Sequence, residues 1–290
     1  MYGYNPATSG IDEVSTLEMI QMFNQEDQKV AQAVAECKTA IAAAVDAAAG
    51  VLKSGGRIVY IGSGTAGKIG VMDASECPPT FGVDDNTVVG VISGGVEGVV
   101  GWREDTEDDE RLAVQDLEVC SFSSRDILIC ISASGNTPYV LAAASHARCL
   151  GAKTVGLSCS PGSKLEQAVE IAITVDVGPE VIMGSTRLKA GTAQKMVLNM
   201  ISSCTMIHMG KTYGNLMVDV RPLNEKLRKR VVDIVRLASG CDEATSRKAL
   251  EEAGFNAKVA IVMLRTGLKA VQAEDLLARY GGYVKKAVKG

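Results

Sequence analysis

Gly56-Arg-Ile-Val-Tyr-Ile-Gly62-Ser-Gly-Thr-Ala-Gly67-Lys68 decides the fold. A short β-branched run stops at a glycine, a glycine-rich loop follows, and a helical pattern begins. The same strand–loop–helix order returns at 125–149, where Arg125-Asp-Ile-Leu-Ile-Cys-Ile-Ser132 leads through Ala133-Ser-Gly-Asn-Thr-Pro138 into an Ala-rich helix. Three further runs, at 87–93, 153–159 and 170–175, are short, apolar and β-branched. None alternates strictly between apolar and polar residues, the mark of strands buried on both faces. The prediction is an α/β fold: a five-stranded parallel sheet with helices on each side, a three-layer sandwich.

Working outward, a helical pattern runs from about Thr16 to Leu52 and stops at Lys53-Ser-Gly-Gly56. A long helix is predicted from Arg187 to Met209, and after Arg221-Pro222 the chain turns helical and charged, with breaks at Gly240, Gly254, Gly267 and Gly281-Gly282. That pattern reads as a small C-terminal helical bundle. With 30 basic and 34 acidic residues the net charge is −4, so a general nucleic-acid binder, which needs a basic face, is excluded. The first residues lack the basic and apolar regions of a signal peptide, and the longest greasy stretch, 40–52, is too short for a bilayer and contains Asp46. Eight scattered cysteines without a CxxC pair read as reduced thiols in a cytoplasm. The two histidines, His146 and His208, have no metal-ligand spacing, so no metal site is expected.

The loop 62–68 faces an anion with the amides of a helix N-terminus. It formally matches GxGxxG, yet the second strand ends in Ser93-Gly94-Gly95 where a dinucleotide site wants an acid. It also matches the start of a Walker A loop, but Ile69 stands where a Ser or Thr must hold magnesium. A glycine turn serving only helix–strand packing is the plain alternative. The second loop offers Ser132, Ser134, Gly135, Asn136 and Thr137 before Pro138. Two such loops at adjacent strand ends favour a sugar phosphate, held by Gly62, Ser63, Gly64 and Thr65 on one side and 132–137 on the other.

Between the loops lies Asp73-Ala-Ser-Glu76-Cys-Pro-Pro-Thr80-Phe-Gly82, an acid beside a Pro-Pro turn. Further on comes Gly178-Pro-Glu180-Val-Ile-Met-Gly-Ser185-Thr-Arg187-Leu-Lys189-Ala-Gly-Thr192-Ala-Gln-Lys195, then Gly214-Asn-Leu-Met-Val-Asp-Val220. With these segments the chain resembles the N-acetylmuramic acid 6-phosphate etherases, a family with a sugar isomerase-type (SIS) domain related to the glucokinase regulatory protein. The resemblance runs from Ile11 to the helical C-terminus. It implies an N-terminal helical segment at 1–55, a SIS phosphosugar domain at 56–221 and a UBA-like helical subdomain at 222–290.

The resemblance also implies a reaction: cleavage of the D-lactyl ether of N-acetylmuramate 6-phosphate to N-acetylglucosamine 6-phosphate and D-lactate, without metal or redox cofactor. The family's two catalytic glutamates carry over onto Glu76 and Glu107, with Glu104 and Glu110 near Glu107 on what reads as one acidic helix. Ser185 joins the substrate-binding set. Two departures touch the phosphate grip: Ala66 stands where the family's first loop usually has a serine, and Asn136 where its second usually has an arginine. The resemblance further implies a cytoplasmic homodimer taking a small phosphosugar, with no nucleic acid or membrane partner. Two alternatives stay open: a phosphosugar-binding regulator without catalysis, and an aldose–ketose isomerase of the same fold.

Overall fold

The computed structural model describes residues 3–101, 106–222 and 224–290. A short 3-10 turn at Pro6–Thr8 precedes α1 (Thr16–Glu36), which is opened by a capping box in which Ser15 and Glu18 satisfy each other's backbone amides. The helical pattern to Leu52 breaks once, at Cys37, and resumes as α2 (Lys38–Lys53). Strands and helices then alternate: β1 (Ile58–Gly62), α3 (Gly64–Phe81), β2 (Val88–Ile92), α4 (Gly95–Val100), α5 (Glu110–Val119) and β3 (Ile127–Ile131). They continue as α6 (Pro138–Cys149), β4 (Lys153–Ser158), α7 (Lys164–Ala168), β5 (Ile171–Thr174) and α8 (Lys189–His208). The five predicted strands and the parallel sheet are all present, in the order β2-β1-β3-β4-β5.

Contacts divide the chain into two compact units, Met1–Ser75 with Asn86–Ser202, and Glu76–Asp85 with Ser203–Gly290. In the first, the sheet is covered on both faces. Val59, Ile61, Leu128 and Cys130 pack with Ala113 and Leu117 of α5, Tyr139 and Ala143 of α6 and Leu165 of α7. On the other face Tyr60 lies under Gly70 of α3, where an added Cβ would come 3.1 Å from the Tyr60 Cβ. The Tyr60 hydroxyl donates to Asp73 of α3 (2.9 Å), and Ser202 of α8 donates to the other Asp73 oxygen (3.2 Å). Burial pushes the Asp73 carboxyl above its ordinary range despite these two bonds.

Gly62 pairs with Ile92 on one side and Ile131 on the other, so the loops after β1, β2 and β3 leave the sheet at one level. β1 leads outward to β2, whereas β3 leads the other way to β4 and β5, which puts the topological switch point between β1 and β3. Open α/β sheets bind ligands in the crevice at that point.

The second unit carries a two-stranded hairpin, β6 (Thr212–Tyr213) and β7 (Leu216–Met217), and the helices α9 (Glu225–Ser239), α10 (Glu243–Glu252), α11 (Ala257–Thr266), α12 (Ala270–Arg279) and α13 (Val284–Lys289). Val231, Val235, Leu250, Ile261, Val262, Leu277 and Val284 form its core. Its helix breaks fall at the predicted glycines; Gly240 and Gly267 close α9 and α11 in the left-handed conformation that only glycine takes at little cost. Among the described residues no helix is long and apolar enough to cross a membrane.

Two local expectations are corrected. Pro78 and Pro79 form no separate turn; they lie within α3, near its end, where the Gly82 amide donates to the Pro78 carbonyl. Glu107 is not on an acidic helix: it lies in a turn, and α5 starts only at Glu110, capped by the Asp109 carboxylate on the amides of Arg111 and Leu112. Glu104 lies outside the described residues.

Candidate active site

The switch point opens into a cavity of about 420 Å³. Of the residues singled out in the sequence, Ser63, Gly64, Thr65, Glu107, Ser132, Ser134, Thr137 and Ser185 line it. Gly62, Gly135, Asn136 and Glu76 do not.

The absent glycines have packing reasons. A Cβ on Gly62 would fall 2.7 Å from the Gly67 amide, so β1 and α3 cross there with no room for a side chain. A Cβ on Gly135 would strike the Ser163 hydroxyl, at 2.3 Å, and its φ of +64° suits glycine. Asn136 holds its own loop: its amide nitrogen donates to the Ser134 carbonyl (3.1 Å), and its oxygen accepts from the Lys164 amide (3.2 Å). Glu76 is an exposed residue of α3 belonging to the second unit.

Most of the hydroxyls at these strand ends are held by protein partners. Ser63 and Ser93 are 2.7 Å apart, Ser132 and Thr137 2.9 Å, and the Ser132 and Ser134 oxygens accept from the amides of Gly135 (3.0 Å) and Asn136 (3.1 Å). The first turns of α3 and α6 point to the same end of the sheet, with Pro138 at the first position of α6, where its missing donor costs nothing. Lys68 also lines the cavity, its ammonium donating to the Gly101 carbonyl (3.1 Å). Hydroxyls, helix N-termini and a lysine make a cradle for a phosphate group.

Glu107 is placed from both sides. The Thr106 hydroxyl donates to Ser93 (3.1 Å), and the Glu107 carbonyl accepts from the Tyr139 amide of α6 (3.0 Å). The turn is thereby tied to the end of β2 and the start of α6, and α6 is tied to α5 by the Tyr139 hydroxyl on Asp116 (2.6 Å).

The remaining wall is Ser185, Thr186 and Arg187, with Gln194 one turn into α8. Behind it, the buried Glu180 carboxylate accepts from the Lys189 and Ala190 amides (2.9 and 3.0 Å) and so caps α8. The fully buried Lys189 ammonium reaches Glu26 of α1 at 2.6 Å. Two hydrogen-bonded cations, Lys189 and Lys29, hold the Glu26 carboxyl at about 2 against the burial that raises it. Sequence reasoning missed Ser93, Thr186, Arg187 and Gln194 as wall residues. Ser93 stood out only as a missing acid, and the other three lay inside the stretch that carried the resemblance without a role of their own.

Comparison with known proteins identifies the fold and the family. The model of the glucokinase regulatory protein N-terminal SIS domain matches residues 40–148, and the SIS domain model matches 117–203. A curated N-acetylmuramic acid 6-phosphate etherase of Klebsiella aerogenes is 49% identical over 284 residues, covering 98% of this chain and 95% of that one. The chain belongs to the N-acetylmuramic acid 6-phosphate etherase family. An etherase of the same name from Aeromonas hydrophila is likewise 49% identical, over 97% of this chain and 95% of its own. As a family member the chain is an enzyme, a carbon–oxygen lyase. A solved structure from Bacteroides fragilis, named as a candidate phosphosugar isomerase, superposes with a TM-score of 0.51 at 21% identity over 69% of this chain and 98% of that one. At that identity the likeness establishes the SIS-type fold alone.

Proposed function

We propose that this etherase acts on N-acetylmuramate 6-phosphate, releasing D-lactate and N-acetylglucosamine 6-phosphate by elimination followed by water addition, in amino-sugar and peptidoglycan recycling. The observation that carries the reading is a hydroxyl-lined phosphate cradle beside helix N-termini with the carboxylate of Glu107 in the same cavity. Neither an isomerase nor a silent regulator accounts for full-length likeness to etherases.

In this reading the sugar ring opens, and the aldehyde at C1 acidifies the C2 proton. One carboxylate removes that proton while a carboxylic acid protonates the departing lactate oxygen at C3. Water then adds across the resulting α,β-unsaturated aldehyde, giving the C3 hydroxyl. Glu76 is assigned the acid role towards lactate and Glu107 the partner acid/base role, and such positioned proton transfers contribute about 10²–10⁴-fold each. One carboxylate takes a proton from C2 and one carboxylic acid gives a proton to the leaving oxygen.

Glu76 does not line the cavity of its own chain. The protein is therefore read as a homodimer in which Glu76 of the partner subunit serves the cavity. The eight cysteines, none in a disulfide, suit a reducing cytoplasm. Residues 56–221 are read as the phosphosugar domain and 222–290 as a UBA-like subdomain.

The test is incubation with N-acetylmuramate 6-phosphate in ¹⁸O water. D-lactate release with label at sugar C3 is expected, with Glu76→Gln and Glu107→Gln each lowering kcat about 10²–10⁴-fold. Binding without lactate would overturn the etherase reading, and isomerisation without acid release would favour the isomerase.

A further inference from the structure

The two walls of the cavity differ in how their polar groups are occupied. The hydroxyls of Ser63, Ser132, Ser134 and Thr137 bond to protein partners. In the first turns of α8, the side-chain nitrogen of Gln194 is buried, with the residue 1% exposed, and has no hydrogen-bond partner. Buried donors in folded proteins are nearly always satisfied, so one left open on a cavity wall is a donor kept for a ligand. Arg187, on the same wall, has no ion pair or hydrogen bond among the described residues, nor do the side chains of Ser185 and Thr186. This wall is a guanidinium and an amide N–H flanked by two hydroxyls, a set biased towards donors and fit for an oxyanion.

The substrate proposed above carries two anions, the 6-phosphate and the lactyl carboxylate. The backbone assigns them. The N-terminus of α3 offers its first amides to the phosphate, while at α6 the Tyr139 amide is held by the Glu107 carbonyl (3.0 Å). At α8 the first amides are already taken by the protein's own Glu180 carboxylate, at 2.9 and 3.0 Å. An anion beside the start of α8 meets the side chains of Arg187 and Gln194, and a planar carboxylate is the group that a guanidinium fork and an amide N–H grip best.

We infer that Arg187 and Gln194 form the lactyl-carboxylate subsite and make the cavity select a phosphosugar carrying a second, carboxylate anion. The inference rests on the etherase reading. A sugar phosphate without the lactyl group lacks the anion that these two side chains would hold.

The experiment measures direct binding of N-acetylmuramate 6-phosphate and of N-acetylglucosamine 6-phosphate, with lactate kinetics, for wild type, Gln194→Leu, Gln194→Glu and Arg187→Gln. Losing one bond to a charged group should weaken binding of the muramate about 10- to 100-fold, raising KM more than it lowers kcat. Gln194→Glu should be the worse of the two Gln194 variants, because it sets an anion against an anion. Binding of N-acetylglucosamine 6-phosphate should stay within about twofold for Gln194→Leu and Arg187→Gln. Equal loss for both ligands would move the wall to the phosphate, and no loss for either would make Gln194 a packing residue; each result overturns the subsite. Should Gln194→Leu fail to fold, the exposed Arg187→Gln decides the same question. Failure of the etherase reading looks different: wild type itself would release no lactate.

Discussion

At the scale of single residues, the charges behind the cavity hold more than those in front of it. Glu26 and Lys189 are both buried and bonded to each other, and Lys29 makes a second ion pair with Glu26. Removing one member of such a pair leaves an uncompensated buried charge, which costs about 3–5 kcal/mol. Glu26→Gln should therefore destabilise the protein by that amount at pH 7 in urea melts. The sign of the pH dependence follows from the Glu26 carboxyl at about 2, depressed from 4.5. Its contribution is complete above about pH 4.5 and disappears as pH falls towards 2. The gap between wild type and Glu26→Gln should thus be widest at neutral pH and narrow progressively below 4.5. A gap independent of pH would mean that the ion pair is not what stabilises α1 against α8.

At the scale of elements, the crossing of β1 and α3 sets where the phosphate cradle sits. A Cβ on Gly67 would lie 2.7 Å from the Gly62 carbonyl oxygen and 2.6 Å from Ile92 Cγ1. Gly67→Ala should cost about 1–3 kcal/mol by overpacking and push the first turn of α3 off the sheet, weakening phosphosugar binding in the same titration. Gly50 is the control: it is an exposed residue of α2 with nothing within 4 Å of an added Cβ. Gly50→Ala should stabilise by about 0.5–1 kcal/mol in a thermal melt and leave binding unchanged. If both alanines behave alike, the crossing is looser than its distances say. These glycines also show what the sequence makes legible. Short apolar β-branched runs, and helices that end in glycine, announce themselves locally, so the five strands and the breaks in α9–α13 can be read directly. The sequence does not say whether a glycine serves a ligand or a neighbour. Gly62 and Gly135 read as substrate contacts, yet each lies off the cavity wall where a neighbouring atom excludes a Cβ. Gln194 was illegible for the opposite reason: a glutamine in a helix carries no local signal, and only burial without a partner marks it.

At the scale of the whole molecule, among the described residues one chain's cavity holds the carboxylate of Glu107 and not that of Glu76, while the chemistry proposed for it uses both. A twofold dimer supplies the second if each subunit lends Glu76 to the other's cavity. The arrangement makes a prediction that no single variant can test. Glu76→Gln and Glu107→Gln proteins are each expected to be nearly inactive alone. Mixed and allowed to exchange subunits, they form heterodimers in which one cavity has lost both glutamates and the other has kept both. Random exchange of equal amounts makes about half the dimers mixed, each with one of its two cavities intact, so activity should return to about a quarter of wild type. Sedimentation of the wild type must first show a dimer, since a monomer would end the argument there. If a dimer forms and exchanges but the mixture stays as inactive as its components, both glutamates act within one chain, because the mixed dimer then contains no complete cavity. The lactate assay reads either result directly, and doubling the exchange time separates slow exchange from true absence of complementation.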